Sequence, residues 1–306
     1  MHHLPPGHLQ GESHEKLEVK NFNSLCQVPV KVQIPLSESD LSWVQQHAIP
    51  VRHLANREIA AFVGDQILGL NLASCRVARL VGYDYQSRRC EVTPHYLALL
   101  HCLARRAPLS LRRLELNVDL IRSRRSFRFT EILSSFRNLC SLSIHFSAHI
   151  ELNQRILNND DAQKFLDQVL ANLTSLTTLH IFICPSRRLR LSSLSLKELG
   201  VYKSDGVEVA RFHLPALERL SLHGSTADLF RKILADRETG GQAMHRNLLA
   251  VVYDGCPKLR VLNNLQLSSV LVGPGRPGRR EWAGQVNRAL VRQYRRQLLA
   301  GEAALA

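Results

Sequence analysis

The chain has 306 residues, 45% of them hydrophobic and 22% charged, an ordinary globular usage that sets aside wholesale disorder and supports one large domain or two smaller ones without disulfide staples. The formal net charge is +14, and the surplus is arginine, 32 Arg against 8 Lys. No apolar run approaches the ~20 residues of a membrane helix, the start has no apolar h-region of a secretory signal, and seven Cys without a C-x-x-C pair fit reduced thiols in a cytoplasmic and/or nuclear protein. A basic surplus favours acidic partners, nucleic acid included; with the arginines scattered and aromatics at 6%, the plainer reading is a domain with a positive surface.

Residues 1–20 carry Pro5, Pro6 and Gly7 and read as a disordered N-terminus. Val28, Val30, Val32 and Ile34 alternate as in a half-buried strand. Ser37-Glu38-Ser39-Asp40 has the form of a capped helix start, followed by Leu41, Trp43, Val44 and Ala48, and Val51 and Leu54 suit the next strand. This is an irregular first unit that covers the end of a core.

From there one frame recurs, L-x-x-L-x-L-x-x-N/C, with Ile or Val allowed at the apolar places. The clearest unit is Ile67-x-x-Leu70-x-Leu72-x-x-Cys75. Leu111-x-x-Leu114-x-Leu116, Leu139-x-x-Leu142-x-Ile144, Leu176-x-x-Leu179-x-Ile181, Leu196-x-x-Leu199-x-Val201 and Leu217-x-x-Leu220-x-Leu222 follow. A degraded unit runs from Leu259 and Leu262 into Leu265 and Leu267. The steps between fourth positions, from Leu114 on, are 28, 37, 20, 21 and 42 residues: long steps hold a strand and a helix, short ones a strand and a tight return. Helical spacing appears at residues 94–105, with Thr93 as N-cap, at 159–173, and at 244–253, which Asp254-Gly255-Cys256-Pro257 stops. The ninth positions, Cys75, Asp119, Ser147, Cys184, Ser204 and Ser225, are all small, which makes Cys75 and Cys184 structural thiols. Residues 271–280 form a Gly/Pro/Arg hinge, and 281–306 a basic amphipathic helix with Trp282, Val286, Leu290, Tyr294 and Leu298 four residues apart. That helix either docks back as a cap or binds an acidic surface, a membrane face or nucleic acid.

The frame is that of leucine-rich repeats, over roughly residues 50–268, and with the phrase Cys256-Pro257-Lys258-Leu259-Arg260-Val261-Leu262 the chain resembles F-box/leucine-rich-repeat proteins. The resemblance implies an α/β fold, a leucine-rich-repeat solenoid over residues 21–270 with a curved parallel sheet and helices on the convex side. It also implies the substrate-recognition part of an SCF-type (cullin) ubiquitin ligase, with a Skp-type adaptor and a cullin as partners. The F-box pattern itself is not found: Leu4-Pro5 continues as Pro6-Gly7-His8. The ligase role therefore requires an upstream F-box or a separate adaptor-binding surface.

In such a unit the fourth and sixth residues face the core, and the third, fifth and seventh face the concave surface. The seventh-position column reads Ala73, Asn117, His145, Phe182, Tyr202, His223; the fifth Asn71, Glu115, Ser143, His180, Gly200, Ser221, Asn263; the third Gly69, Arg113, Ser141, Thr178, Glu198, Arg219. Asn117, His145, His180, Phe182, Glu198, Tyr202, Arg219 and His223 are the candidate partner-binding residues, with the rings as interface anchors. Arg122, Arg124 and Arg125, and then Arg187, Arg188 and Arg190, read as basic loops, either solvated or touching acidic groups. No phosphate-loop, dinucleotide, nucleophile-elbow or H-E-x-x-H motif is present, and the 14 His show no ligand spacing on a predicted helix. The reading is a protein–protein interaction scaffold, not an enzyme, with no cofactor and no metal. The alternative is a basic RNA- or DNA-associated protein acting through the Arg loops and the C-terminal helix.

Overall fold

Apolar and polar residues alternate along the short strands, and in each central strand the apolar set is buried: Leu142, Ile144 and Phe146 in one, Leu179 and Ile181 in the next. The computed structural model describes residues 30–34, 38–46, 48–56, 70–80, 94–118, 123–146, 159–182, 188–202, 208–223, 242–271 and 277–303. The fold is α/β. In chain order the elements are β1 (Val30–Ile34), α1 (Glu38–Gln46), β2 (Val51–Asn56), β3 (Val77–Leu80), α2 (Pro94–Arg106), β4 (Arg113–Val118), α3 (Ser123–Ser134), β5 (Ser141–Phe146), α4 (Asn159–Asn172), β6 (Thr178–Phe182), β7 (Arg188–Ser192), β8 (Glu198–Tyr202), β9 (Glu208–His213), β10 (Arg219–His223), α5 (Gln242–Gly255), β11 (Val261–Leu262), β12 (Leu265–Gln266) and α6 (Arg279–Ala303). The main sheet has ten strands in the order β1-β2-β3-β4-β5-β6-β8-β10-β11-β12, parallel up to β11, with β12 antiparallel at the edge.

The register is shared from strand to strand. Ala78, Leu114, Leu142, Leu179, Leu199 and Leu220 stand side by side, and Leu80, Leu116, Ile144, Ile181, Val201 and Leu222 form the next row. Both rows belong to one core with Leu99, Leu100 and Leu103 of α2, Phe129, Ile132 and Leu133 of α3, and Phe165, Leu166 and Val169 of α4. The helices α2, α3 and α4 pack side by side and form a second layer over that face of the sheet.

Three features differ from the sequence reading. The unit starting at Ile67 does not carry its strand at Leu70 and Leu72, and Ile67 and Gly69 lie outside the described residues. Leu70 and Leu72 are buried in a turn, where Cys75 N–H donates to the Leu72 carbonyl. The same turn bond precedes later strands, from Leu139 to Phe136, Leu176 to Leu173, Leu217 to Leu214 and Leu259 to Cys256. The strand frame is therefore Cys75-x-x-Ala78-x-Leu80, with Cys and Ala in places where leucine was sought, so Asn71 and Ala73 leave the columns and Val77 and Arg79 enter them.

Second, α3 replaces the basic loop read around Arg124 and Arg125. Its buried Phe129, Ile132, Leu133 and the following Phe136 keep the 3-4-7 helical spacing, but the arginines of its first turns obscure that pattern. Third, the two short steps return as strands. In β7, Leu189 and Leu191 are buried and Arg190 is exposed, so Arg188 and Arg190 lie on a strand and not in a loop. β7 and β9 pair in parallel as a separate two-stranded sheet that continues the second layer between α4 and α5. Gln163 of α4 ties the backbone of β7 at Arg190: its amide donates to the carbonyl (2.5 Å) and accepts from the N–H (3.0 Å).

The far edge is closed by the β11–β12 hairpin. Asn263 and Asn264 carry the positive φ that a two-residue hairpin loop of this kind requires, 47° and 65°. The Asn263 side chain also accepts from Leu222 N–H at 2.6 Å, which fastens the hairpin to β10. Helix α6 packs on α5 with Trp282, Val286 and Leu290 buried, the Trp282 ring 5.4 Å from that of Tyr253 and the Tyr253 hydroxyl donating to the Pro277 carbonyl at 2.8 Å. The described part of this helix is therefore docked on α5. Residues 1–20 and 272–276 of the hinge lie outside the described residues, as do Asp119, Ser147, Cys184, Ser204 and Ser225.

Gly255 ends α5 against β9, where a Cβ would run into the Phe212 carbonyl. Gly255→Ala should cost about 2 kcal/mol, because the obstacle is backbone and not a movable side-chain tip. Urea unfolding measures it; a loss within error of zero would show that β9 and α5 part easily.

Candidate functional site

The strand residues between the buried ones occupy the other face of the main sheet. Register sets them in rows: Val77, Arg113, Ser141, Thr178, Glu198 and Arg219; then Arg79, Glu115, Ser143, His180, Gly200 and Ser221; then Asn117, His145, Phe182, Tyr202 and His223. Parallel strands ~4.8 Å apart put ring-bearing residues of one row at stacking distance. The ring of His145 lies 4.1 Å from that of Phe182 at an interplanar angle of 7°, and Phe182 lies 4.6 Å from Tyr202 at 11°.

Tyr202 leans back over Gly200 towards the next row. Its hydroxyl and His180 Nδ1 share a hydrogen bond of 3.1 Å, with the two rings 5.7 Å apart and nearly parallel. Gly200 makes this possible, since a Cβ there would sit 2.6 Å from the Tyr202 ring and 2.8 Å from His180 Nδ1. His145 and His180 keep 22% and 23% of their side-chain surface, so the row presents ring rims and polar tips rather than open ring faces.

The charged groups are linked to the rings. Glu115 accepts from Arg79 Nε at 2.9 Å on one oxygen and faces His145 Nε2 at 3.0 Å on the other. Burial pushes the Glu115 carboxyl up, but the His145 hydrogen bond and the charges of Arg79 and His145 outweigh it, and the group lies below its ordinary range. His180 is held below its ordinary value by burial, against the weaker pull of Glu198 and Glu115. Burial, helped by Glu198, raises the Tyr202 phenol.

The face thus brings together His145, His180, Phe182, Glu198 and Tyr202, with Arg219 exposed in the outer row and His223 in register beside Tyr202. Asn117 is a correction. Alternation gives it this face, but it is fully buried, because a residue's face does not decide whether neighbouring side chains close over it. The basic residues do not join the face: Arg124 and Arg125 lie in α3, Arg188 and Arg190 in β7, and Arg122 and Arg187 fall outside the described residues. Arg79 lies outside the leucine frame, and its place follows from Cys75-x-x-Ala78-x-Leu80; the space at Gly200 leaves no mark along the chain.

Among the described residues no three His, Cys, Asp or Glu side chains are grouped to hold a metal, and no helix is long and apolar enough to cross a membrane. Burial pushes the Cys75 thiol up to about 11, which leaves it protonated and a poor nucleophile. No family model matches the chain, nor does any curated protein or solved structure.

His180 is a base whose folded value lies under 6.5, so the unfolded chain binds more protons across that window. Stability should hold above about pH 6.5 and fall as the pH drops through it. His180→Gln should flatten that slope in unfolding experiments. Gly200→Ala, by displacing the Tyr202 ring, should move the NMR titration midpoint of His180 up towards 6.5; a wild-type midpoint at or above 6.5 would contradict this account.

Proposed function

We propose that the chain is a leucine-rich-repeat solenoid that acts as a protein–protein interaction scaffold, with the partner seated on the concave face of the main sheet. The observation that carries this reading is the row His145–Phe182–Tyr202, stacked in the middle of an otherwise polar sheet face and joined to His180 and Glu115. One strand per unit, a shared register and returns packed as a second layer support the solenoid.

The orientation of the rings points to protein rather than nucleic acid. Base stacking uses open ring faces, and here the inner faces are spent on one another. What remains outward is positive ring edge, with the exposed cations Arg113 and Arg219 in the outer row of the same face. Carbonyls and carboxylates of a peptide suit such a surface. The F-box/leucine-rich-repeat resemblance extends the proposal: the partner is a substrate presented to a cullin-type ubiquitin ligase, with the Skp-type adaptor bound through another segment or surface.

The tagged chain should be purified from its native cells after nuclease treatment, beside Phe182→Ala/Tyr202→Ala, with co-purifying proteins quantified by mass spectrometry. Ring anchors at interfaces are worth about 2 kcal/mol each, so the double variant should weaken the partner roughly several-hundredfold while keeping the circular dichroism of the folded chain. A cullin and its adaptor retained by both proteins would support the ligase extension. An unchanged set of proteins on the folded double variant would overturn the assignment of the face.

A further inference from the structure

We infer that a notch between the starts of β3 and β4 binds a phosphomonoester. The site lies at the opposite end of these strands from the ring row and does not depend on the reading of that face. The strand register aligns two copies of one triplet, Ser74-Cys75-Arg76 and Ser110-Leu111-Arg112, 36 residues apart like the paired Ala78 and Leu114. Cys75 and Leu111 point into the core, and Ser74, Arg76, Ser110 and Arg112 line a notch of roughly 320 Å³.

All four side chains bring donors. Each guanidinium has five N–H groups in a planar fork that matches phosphate oxygens. Arg112 spends one on the Asn138 carbonyl at 3.2 Å. Among the described residues neither Arg76 nor Arg112 is paired with a carboxylate, although both stand where the backbone holds them side by side: Arg112 N–H donates to the Arg76 carbonyl at 2.8 Å. Among the described residues Ser74 Oγ makes only a long contact of 3.5 Å, to the Val51 carbonyl. Among the described residues Ser110 Oγ is buried without a hydrogen-bond partner, an orphan of the kind that a ligand or an ordered water satisfies. Arg52 precedes Arg76 in the same backbone series, its carbonyl accepting from Arg76 N–H, and adds positive potential beside the notch.

Charge selects the ligand class. Two guanidiniums match a phosphomonoester, which carries about −1.5 to −2 at neutral pH and three acceptor oxygens. A phosphodiester has a single charge and two blocked oxygens. Residues of both triplets line one small space, which suits a terminal group, either a phosphorylated side chain or a free phosphomonoester.

The test titrates the full chain with O-phosphoserine, inorganic phosphate and a short single-stranded oligonucleotide by calorimetry. Wild type should bind the two monoanionic-to-dianionic phosphates. Arg76→Gln/Arg112→Gln, at exposed positions that leave the core untouched, should lose roughly tenfold or more, and Ser110→Ala should lose several-fold. Arg292→Gln, an exposed arginine on α6, should bind as wild type does. O-phosphoserine should bind at least as tightly as inorganic phosphate, since the site is for an ester; phosphate binding clearly tighter would overturn the ester. Binding of the oligonucleotide alone, binding of neither phosphate, or equal binding by a double variant with wild-type circular dichroism would each overturn the proposal.

Discussion

The residue ahead of each main-sheet strand from β3 to β11 donates its N–H to the carbonyl of the equivalent residue one strand earlier in that sheet. Arg76 bonds Arg52, Arg112 bonds Arg76, Cys140 bonds Arg112, and the series continues through Thr177, Lys197, Glu218 and Arg260, all between 2.8 and 3.0 Å. Most of these carbonyls accept a second N–H from the next residue, as Arg76 does from Arg113 and Arg112 from Ser141, so both lone pairs are used. A slip of one residue would break this series and turn every side chain to the opposite face. Core rows, ring row and the paired Ser-x-Arg triplets all follow from this one register.

On the core side that register stacks leucines of successive strands and leaves them to be covered by whatever the connection provides. Helices do so where the connection is long enough. Where it is short, β7 and β9 serve instead, burying Leu189, Leu191 and Phe212 with an alternating pattern and pairing with each other to satisfy their backbones. The two solutions meet at Gln163, whose amide supplies to β7 the donor and acceptor that a neighbouring strand would otherwise offer. The covering layer is thus continuous although its elements change type.

On the open side the same spacing makes neighbours of residues 20 to 37 positions apart in the chain. Ring stacking needs a separation close to the strand spacing, and His145, Phe182 and Tyr202 have it. The half-buried setting of these rings lowers the local polarity enough to hold His180 below its ordinary value and to raise the Tyr202 phenol, while Glu115 stays ionised because Arg79 and His145 both face it. The face therefore combines an apolar strip with fixed, oriented charges, which is what distinguishes it from the merely polar outer rows.

The sequence by itself determined the α/β class, most of the helices and the central strands, because their apolar residues recur with periods that survive any choice of neighbour. It also placed His145, Phe182 and Tyr202 in one column, since equal spacing from a repeated leucine frame is a local property. Only the tertiary structure decided the first frame: Leu70 and Leu72 look like strand leucines, but the chain turns there, and it is pairing with β4 that selects Ala78 and Leu80. Burial of Asn117, the strand at Arg188 and Arg190, and the bridge from Arg79 through Glu115 to His145 were decided in the same way. Each depends on which residues stand next to one another across strands, and periodicity along one strand carries no record of its neighbours.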